Sequence, residues 1–344
     1  MDKLVTVAIA SYNNAPYIER CIDSVIQQSY SNLDILIVDD GSKDDTLAKI
    51  GRYKEDKRVR ILTKENGGLS SARQMGLKNA NGEYISFIDA DDYLKTDYVE
   101  RMLNKLMADN SDICLCSTRF EDMEGNYLPV ESKILASKES ESPIVVSIKA
   151  MTDPNEQFSS QFFLSDSWNK MYRTEFLRES GVVFNMPKGL NGTDTVFNRR
   201  LVLRCPIYSK ITEDVYIHVI YKTSAVHRKG KDLLGTAMFI TSQLLSDIKI
   251  LGLKEQIAKR VTMFYYRALF NALLDVYREN ADSSKSKRLK EECKRHEKFI
   301  KDNGMVQVTI NEIHSKEIKS FLFAIRYFQP MLALYFRLHK LIFK

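Results

Sequence analysis

The sequence predicts an α/β fold built on a mostly parallel sheet that is covered by helices on both faces. Apolar runs alternate with amphipathic stretches over the first hundred residues, which is typical of strand–helix–strand units. Polar segments follow these apolar runs, at the strand ends where an open α/β sheet binds its ligands. We expect buried strands at Val5–Ala10, Leu33–Val38, Val59–Leu62 and Tyr84–Ile88.

The spacing of apolar residues predicts a helix after each of the first three strands. Pro16 suits a first helical turn because it has no N–H to leave unbonded there. Asp44 or Asp45 is expected to cap the second helix, and Asn13 to cap the first. The predicted helices are Pro16–Gln28, Thr46–Lys54 and Leu69–Asn79.

The pattern loosens after the first hundred residues. A helix is expected from Thr96 to Ala108 and a strand at Ile113–Ser117, followed by loops with short strands from Phe120 to Phe158. A mixed section then runs from Phe162 to about Tyr221. Further helices are predicted at Asp194–Leu203, Leu233–Leu251 and Leu253–Arg278.

The composition is that of an ordinary soluble globular protein, with 44% hydrophobic and 28% charged residues in 344. No apolar run is long enough for a membrane span and no export signal is recognisable, so we expect a cytoplasmic protein. The cysteines are odd in number and scattered, which indicates neither a disulfide framework nor a zinc site. They are Cys21, Cys114, Cys116, Cys205 and Cys293.

The net charge of +6 is concentrated in part between Lys285 and Lys301. A solvated helix face explains this stretch most simply, with an anionic membrane surface as the alternative. Nucleic acid is not an expected partner, because basic residues are not interleaved with aromatic ones in a recognised motif. The segment 318–344 is both aromatic and basic, which fits either contact with the inner leaflet or buried packing, including in a homo-oligomer.

The most informative motif is Asp89-Ala90-Asp91-Asp92, directly after the strand Tyr84–Ile88. Carboxylates so close together repel one another unless a cation lies among them. Their hard oxygen atoms suit Mg²⁺ or Mn²⁺, usually shared with substrate phosphates. The alternative is a solvated acidic turn that caps the next helix.

Other strands also end in ligand-like segments. Tyr12, in Ala10-Ser-Tyr-Asn13, offers a ring that can stack on a base. A carboxylate in Val38-Asp-Asp-Gly-Ser42 can accept a hydrogen bond from a base N–H, and Gly41 permits a sharp turn. In Glu65-Asn-Gly-Gly-Leu-Ser-Ser-Ala-Arg73, the N–H groups near Gly67 favour an anion and Arg73 adds a cation. Ordinary turns and helix caps are the alternative for each segment.

Together with Gly82-Glu-Tyr-Ile85, these segments strongly resemble family 2 glycosyltransferases, the inverting enzymes of the GT-A fold. Their order and spacing agree over roughly the first 110 residues. The family more often has Pro-Thr or Pro-Val where this chain has Ala10-Ser11. The resemblance implies a mixed Rossmann-like sheet flanked by helices. It also implies a nucleotide-sugar-binding half at 1–110, an acceptor-binding half at 111–228 and a helical C-terminal region at 229–344.

The resemblance also implies roles for individual residues. Tyr12 and Asp40 would hold the nucleotide base, usually uracil. Arg73 would lie near the ribose or phosphates of the donor, and Asp89 would contact the ribose or sugar. Asp91 would be the main protein ligand of the metal, while Asp92 would orient the loop.

The second half shows a weaker match to bacterial members, through Trp168-Asn-Lys170 and Gly192-Thr-Asp194. Asp194 aligns with the catalytic base, although Thr193 replaces the usual acid beside it; without the resemblance, Asp194 is a helix-capping residue. His218 is at a position where relatives place a further metal or phosphate ligand. Trp168 is either a core anchor or a platform for a sugar ring.

These residues imply an inverting, metal-dependent transfer of a hexose-type sugar from a nucleotide donor, as expected of a UDP-sugar. The acceptor would be a hydroxyl of a glycan or lipid-linked saccharide in surface polysaccharide synthesis, such as capsule or teichoic acid. The alternatives are a nucleotidyltransferase or a non-catalytic nucleotide-sugar-binding protein. A nucleotidyltransferase would more typically carry a basic Gly-rich loop near residue ten, where this chain has Ser11-Tyr-Asn-Asn14.

Overall fold

The computed structural model describes residues 2–129, 166–204, 208–221, 232–253, 255–278 and 285–303. The chain divides into two compact units, Met1–Gly230 and Lys231–Lys344. Most of the loop region predicted from Phe120 to Phe158 lies outside the described residues, as does the tail 318–344.

A seven-stranded mixed sheet in the order β3-β2-β1-β4-β8-β6-β9 forms the centre of the first unit. Only β8 runs antiparallel to its neighbours among these strands, so the predicted mixed sheet is confirmed. The four N-terminal strands match their predicted positions to within one residue at each end. The strands are β1 (Val5–Ser11), β2 (Leu33–Asp39), β3 (Val59–Thr63), β4 (Tyr84–Asp89), β6 (Ile113–Leu115), β8 (Lys170–Arg173) and β9 (Tyr208–Lys210).

A second, three-stranded sheet joins segments that are far apart in the sequence. Its middle strand β10 (Tyr216–Val219) pairs antiparallel with β5 (Tyr93–Leu94) and parallel with β7 (Thr118–Glu121). Because β5 begins one residue after Asp92, this pairing brings the acidic motif next to β10.

Helices cover both faces of the main sheet. The residues of β1 alternate between two clusters: Val7 and Ile9 pack on one face, and Ala8 packs on the other. Because both faces are buried, these strands appear in the sequence as continuous apolar runs. In the described residues of this unit, the helices are α1 (Ile18–Ile26), α2 (Thr46–Ile50), α3 (Leu69–Asn79), α4 (Tyr98–Ala108), α5 (Thr174–Glu179) and α6 (Thr193–Val202).

Two predictions about helix starts are wrong. Helix α1 begins at Ile18, so Pro16 lies in the preceding turn. Asn13 does not cap this helix: it has a φ of 55°, and its side-chain oxygen accepts a hydrogen bond from the Lys43 amide. Before α2, Asp44 accepts the Thr46 amide at 3.0 Å, as one of the two predicted capping residues.

The second unit consists of α7 (Leu233–Ile250), α8 (Glu255–Arg278) and α9 (Lys285–Asn303) in the residues that the structure describes. They pack around an apolar cluster that includes Leu234, Tyr265 and Cys293. On α9 the basic side chains Lys294, Lys298 and Lys301 are exposed, which agrees with a solvated helix face. No helix in the described ranges is long and apolar enough to cross a membrane.

Candidate active site

The acidic motif begins on the last residue of β4, in the middle of the main sheet. One carboxylate oxygen from each of Asp89, Asp91 and Asp92 lies within 4.8 Å of the other two. Burial, together with the charges of Asp92 and Asp89, raises the pKa of Asp91 to about 7. A set of three hard oxygen donors that repel one another fits a divalent cation such as Mg²⁺ or Mn²⁺.

Asp92 attaches this loop to the second sheet. Its fully buried carboxylate accepts hydrogen bonds from the Tyr216 hydroxyl at 2.7 Å, His218 Nδ1 at 2.9 Å and the Val219 amide at 2.9 Å. All three donors belong to β10. This geometry agrees with the predicted role of Asp92 in orienting the loop.

The backbone of Asp91 is also held in place. Its carbonyl accepts hydrogen bonds from Arg20 Nη2 at 3.0 Å and from the Tyr221 hydroxyl at 2.8 Å. Arg20 in turn lies over the ring of Tyr93, 4.7 Å from its centroid. The loop is therefore fixed from the side of α1 as well as from β10.

His218 lies between the acidic motif and Trp168. Although burial lowers the pKa of His218, the adjacent Asp92 carboxylate raises it to about 9. The predicted role of His218 as a metal ligand stays a prediction.

Trp168 is a core residue in this structure. It is 6% exposed, and its ring stacks on those of Tyr216 and His218 at centroid distances of 4.7 and 5.0 Å. The core-anchor interpretation of Trp168 therefore agrees with the structure. The alternative of a sugar platform requires an exposed face that the ring does not have.

Asp40 holds the glycine-rich loop. Its buried carboxylate accepts hydrogen bonds from the Gly67 and Gly68 amides at 3.0 and 2.7 Å, and forms an ion pair with Lys64 at 2.7 Å. A Cβ at Gly67 would lie 2.8 Å from Ser71 Cβ, a clash that this helix start would have to shift to relieve, so this position favours glycine. The carboxylate oxygens of Asp40 thus already accept hydrogen bonds from the loop and from Lys64. Contact of Asp40 with a base stays a prediction.

Two polar atoms near Tyr12 were not singled out from the sequence. Asp39 accepts the Gly41 and Ser42 amides on Oδ2, whereas its Oδ1 is buried and has no hydrogen-bond partner among the described residues. The same holds for Oγ of Ser11, which is the register partner of Asp39 across β1 and β2. Tyr12 itself is 42% exposed. Adjacent buried groups without partners at a strand end are typical of a ligand site.

Arg73 brings together residues from three elements. From α3 its Nη2 donates to Asp89 at 2.5 Å, and its Nη1 forms a hydrogen bond with Asp194 on α6. Burial raises the pKa of the Asp194 carboxyl, and the Arg73 charge opposes this shift. Gly68 and Gly192 precede the two helices with φ values of 86° and 85°, a conformation that favours glycine.

A buried polar network follows Asp194 along helix α6. Asn198, one turn further along α6, accepts the Tyr172 hydroxyl at 2.8 Å and donates to the Asp166 carbonyl at 2.9 Å. Asn198 also donates to Ser167 Oγ at 3.3 Å. The sequence motifs did not identify Asp166, Ser167 or Asn198 as site residues. The only signal that pointed to them was the neighbouring motif Trp168-Asn-Lys170.

Lys170 and Asp166 are the charged members of this network. Burial raises the pKa of Asp166 to about 7 against the opposing charge of Lys170, with Asp194 adding to the increase. Burial also lowers the pKa of Lys170 to about 8. Lys170 donates to Asn169 Oδ1 at 2.7 Å and to the Asp166 carbonyl. The network thus ties β8 to the helix that carries Asp194.

Comparison with known proteins identifies the family. The family model "Glycosyl transferase family 2" matches residues 6–181, about half of the chain. EpsH of Bacillus subtilis is 30% identical over 248 residues, which are 69% of this chain and 67% of that protein. The chain belongs to glycosyltransferase family 2, as its motifs indicated.

Other relatives are matched over less of their length. "Glycosyltransferase GlyA" of Streptococcus pneumoniae is 30% identical over 227 residues, 65% of this chain but only 32% of that protein. The chain therefore spans about a third of that relative. "Hyaluronan synthase" of Pasteurella multocida is 42% identical over 116 residues, 33% of this chain and 12% of that protein.

Among solved structures, S. aureus TarS in complex with UDP-GlcNAc has a TM-score of 0.73 at 18% identity. The match covers 94% of this chain and 87% of that one. This likeness, with the family match, confirms the predicted GT-A fold.

Proposed function

We propose that this protein is an inverting glycosyltransferase that moves a sugar from a nucleoside-diphosphate donor to an acceptor hydroxyl. The observation that carries the proposal is the convergence of the acidic motif and Asp194 on the guanidinium of Arg73. Such a transfer needs a cluster of carboxylates that can bind a divalent cation, next to a carboxylate that can act as a base.

The donor is a UDP-sugar in this proposal. Tyr12 is available to stack on the base, with Asp40 as the predicted partner of a base N–H and Asp39 as a second candidate. Support comes from Ser11 Oγ and Asp39 Oδ1, which have no hydrogen-bond partner within the described ranges, and from the fold of TarS, whose structure contains UDP-GlcNAc. Gly67 would face the phosphates and Asp89 the ribose or sugar.

Asp91 would hold Mg²⁺ or Mn²⁺, with His218 as the further metal or phosphate ligand. When bound, this cation neutralises the negative charge that develops on the leaving diphosphate. The buried hydrogen bonds from Tyr216 and Val219, and the more exposed one from Arg20, would keep the loop in the geometry required for binding.

Asp194 would act as the general base. Its carboxylate accepts the proton of the acceptor hydroxyl while that oxygen attacks the anomeric carbon. The new C–O bond forms as the bond to the donor phosphate breaks, and the nucleoside diphosphate leaves. One displacement inverts the anomeric centre and requires no covalent intermediate.

Residues 1–110 would bind the nucleotide-sugar, 111–228 the acceptor, and 229–344 would be a helical C-terminal region. We propose a glycan or lipid-linked acceptor in the synthesis of a surface polysaccharide, at the inner face of the membrane.

Contact with the membrane would be made through residues 318–344. A variant in which Lys319, Arg326, Arg337 and Lys340 are all replaced by Gln should then bind anionic vesicles about tenfold or more weakly than the wild type. Equal cosedimentation of the variant and the wild type would end that idea; a homo-oligomer is the other use of this segment.

A panel of nucleotide-sugars tests the proposal directly. With Mn²⁺ present, we expect one donor to raise the Tm and to be hydrolysed slowly without an acceptor. Asp91→Ala should lose this hydrolysis, whereas Glu55→Ala, at an exposed site, should retain it. A panel in which no nucleotide-sugar is bound or turned over would refute the proposed function.

A further inference from the structure

Arg73 is almost completely enclosed, although its predicted role places it on the donor. Its side chain is 1% exposed. Both terminal nitrogens are used, one by Asp89 and one by Asp194, and Nε is buried without a partner among the described residues. A guanidinium in this position presents almost no N–H to a diphosphate.

The two carboxylates that Arg73 joins are 105 positions apart in the sequence, at 89 and 194, and come from β4 and α6. Removing one partner of a buried ion pair leaves an uncompensated charge and is strongly destabilising. Asp89 and Asp194 would then repel each other without a cation between them. The distance between them in the folded protein therefore depends on Arg73.

The helix that carries Asp194 is held from a second element. One turn along α6, Asn198 accepts the Tyr172 hydroxyl of β8 at 2.8 Å and donates to the Asp166 carbonyl at 2.9 Å. Arg73 on α3 thus holds the Asp194 side chain, while β8 holds the helix from which it projects.

We propose that Arg73 is a positioning residue, which fixes the base Asp194 relative to the sugar-binding Asp89, and that it does not bind the donor phosphates. This inference rests on the proposed function for the roles of Asp89 and Asp194. Placement within about an ångström matters for such a base, because a misplacement of that size costs about 100-fold in rate.

The test separates turnover from donor affinity. In Arg73→Lys we expect kcat to fall about 100-fold, while the Kd for UDP with Mn²⁺ stays within about threefold of wild type. Arg60→Met is the matched control: Arg60 forms an ion pair with Asp34, and its loss should leave both kcat and Kd unchanged. A UDP Kd weakened about tenfold or more, or a kcat within about threefold of wild type, would overturn the inference.

A double-mutant cycle read out by Tm tests the Arg73–Asp194 ion pair without an activity assay. Arg73→Met should lower the Tm by roughly 5 to 15 °C, and adding Asp194→Asn should restore part of the loss. Strictly additive effects would overturn the inference, as would a double variant less stable than Arg73→Met. If the wild type turned over no nucleotide-sugar, the proposed function would fail while this cycle still decided whether Arg73 holds Asp194.

Discussion

The proposed donor and acceptor sides of the first unit can be compared by the range of the contacts that hold them. On the proposed donor side, Asp40 and the glycine-rich loop belong to strand–turn–helix segments within 28 residues of each other. The acidic loop on the same side is held from further away, because Asp92 accepts hydrogen bonds from β10, at 124 to 127 residues. On the proposed acceptor side, Asp194 is held by Arg73, which is 121 residues away. Local segments thus form the glycine-rich loop, whereas long-range contacts hold the acidic motif and Asp194.

Removal of the divalent cation should have the largest effect on transfer. We expect excess chelator to reduce the rate by about 1000-fold or more, since the developing charge on the diphosphate then has no counter-ion. The rate should return when Mn²⁺ or Mg²⁺ is added back. Unimpaired transfer in chelator would mean that the acidic motif works without a metal.

Asp194→Asn tests the acceptor side. Loss of the base should lower kcat by roughly 100- to 10,000-fold and leave UDP binding intact, because the amide cannot accept the proton. Initial rates and calorimetric titration of UDP would check this. Turnover near that of the wild type would remove Asp194 from the role of base.

Asp92→Ala tests whether long-range contacts support the donor loop. Three donors on β10, two of them buried, would lose their acceptor, and we expect the free energy of unfolding to fall by roughly 3 kcal/mol. Glu55→Ala is the control at an exposed site, with an expected change below about 0.5 kcal/mol. Denaturant unfolding of both variants would measure the difference; equal stability would contradict the structural role of Asp92.

Asp39→Asn and Asp40→Asn compare two neighbouring carboxylates on the donor side. If the free oxygen of Asp39 receives the base, Asp39→Asn should weaken UDP binding by roughly tenfold, the value of one hydrogen bond to a charged group. Asp40→Asn should mainly lower the Tm, because it loosens the glycine-rich loop. The reverse result, with UDP affinity lost only in Asp40→Asn, would support the role predicted from the resemblance.

Trp168→Phe should have the smallest effect on binding. A buried ring that stacks on Tyr216 and His218 contributes to packing, so we expect the acceptor KM to change less than about twofold while the Tm falls by a few degrees. A large rise in the acceptor KM with an unchanged Tm would instead favour the sugar platform.

The sequence alone determined the donor half to within a residue or two at most element ends. Strands buried on both faces appear as continuous apolar runs, and the ligand segments directly follow them. The turn details were less accessible. Asn13 was misassigned because its side chain accepts the Lys43 amide and its own amide donates to Ser42 Oγ, both beyond its own helix. Pro16 was misassigned because the helix begins only at Ile18.

Only the tertiary structure decided what these side chains contact. The carboxylate of Asp40 accepts loop amides, whereas Oδ1 of Asp39 has no partner in the part of the chain that the structure describes. Arg73 is enclosed between two acids. The ring of Trp168 stacks on the ring of His218. Periodicity and motif spacing record which residues lie at a strand end. They do not record which donors converge there, because those donors come from other elements, and the donors to Asp92 and Asp194 lie more than a hundred positions away.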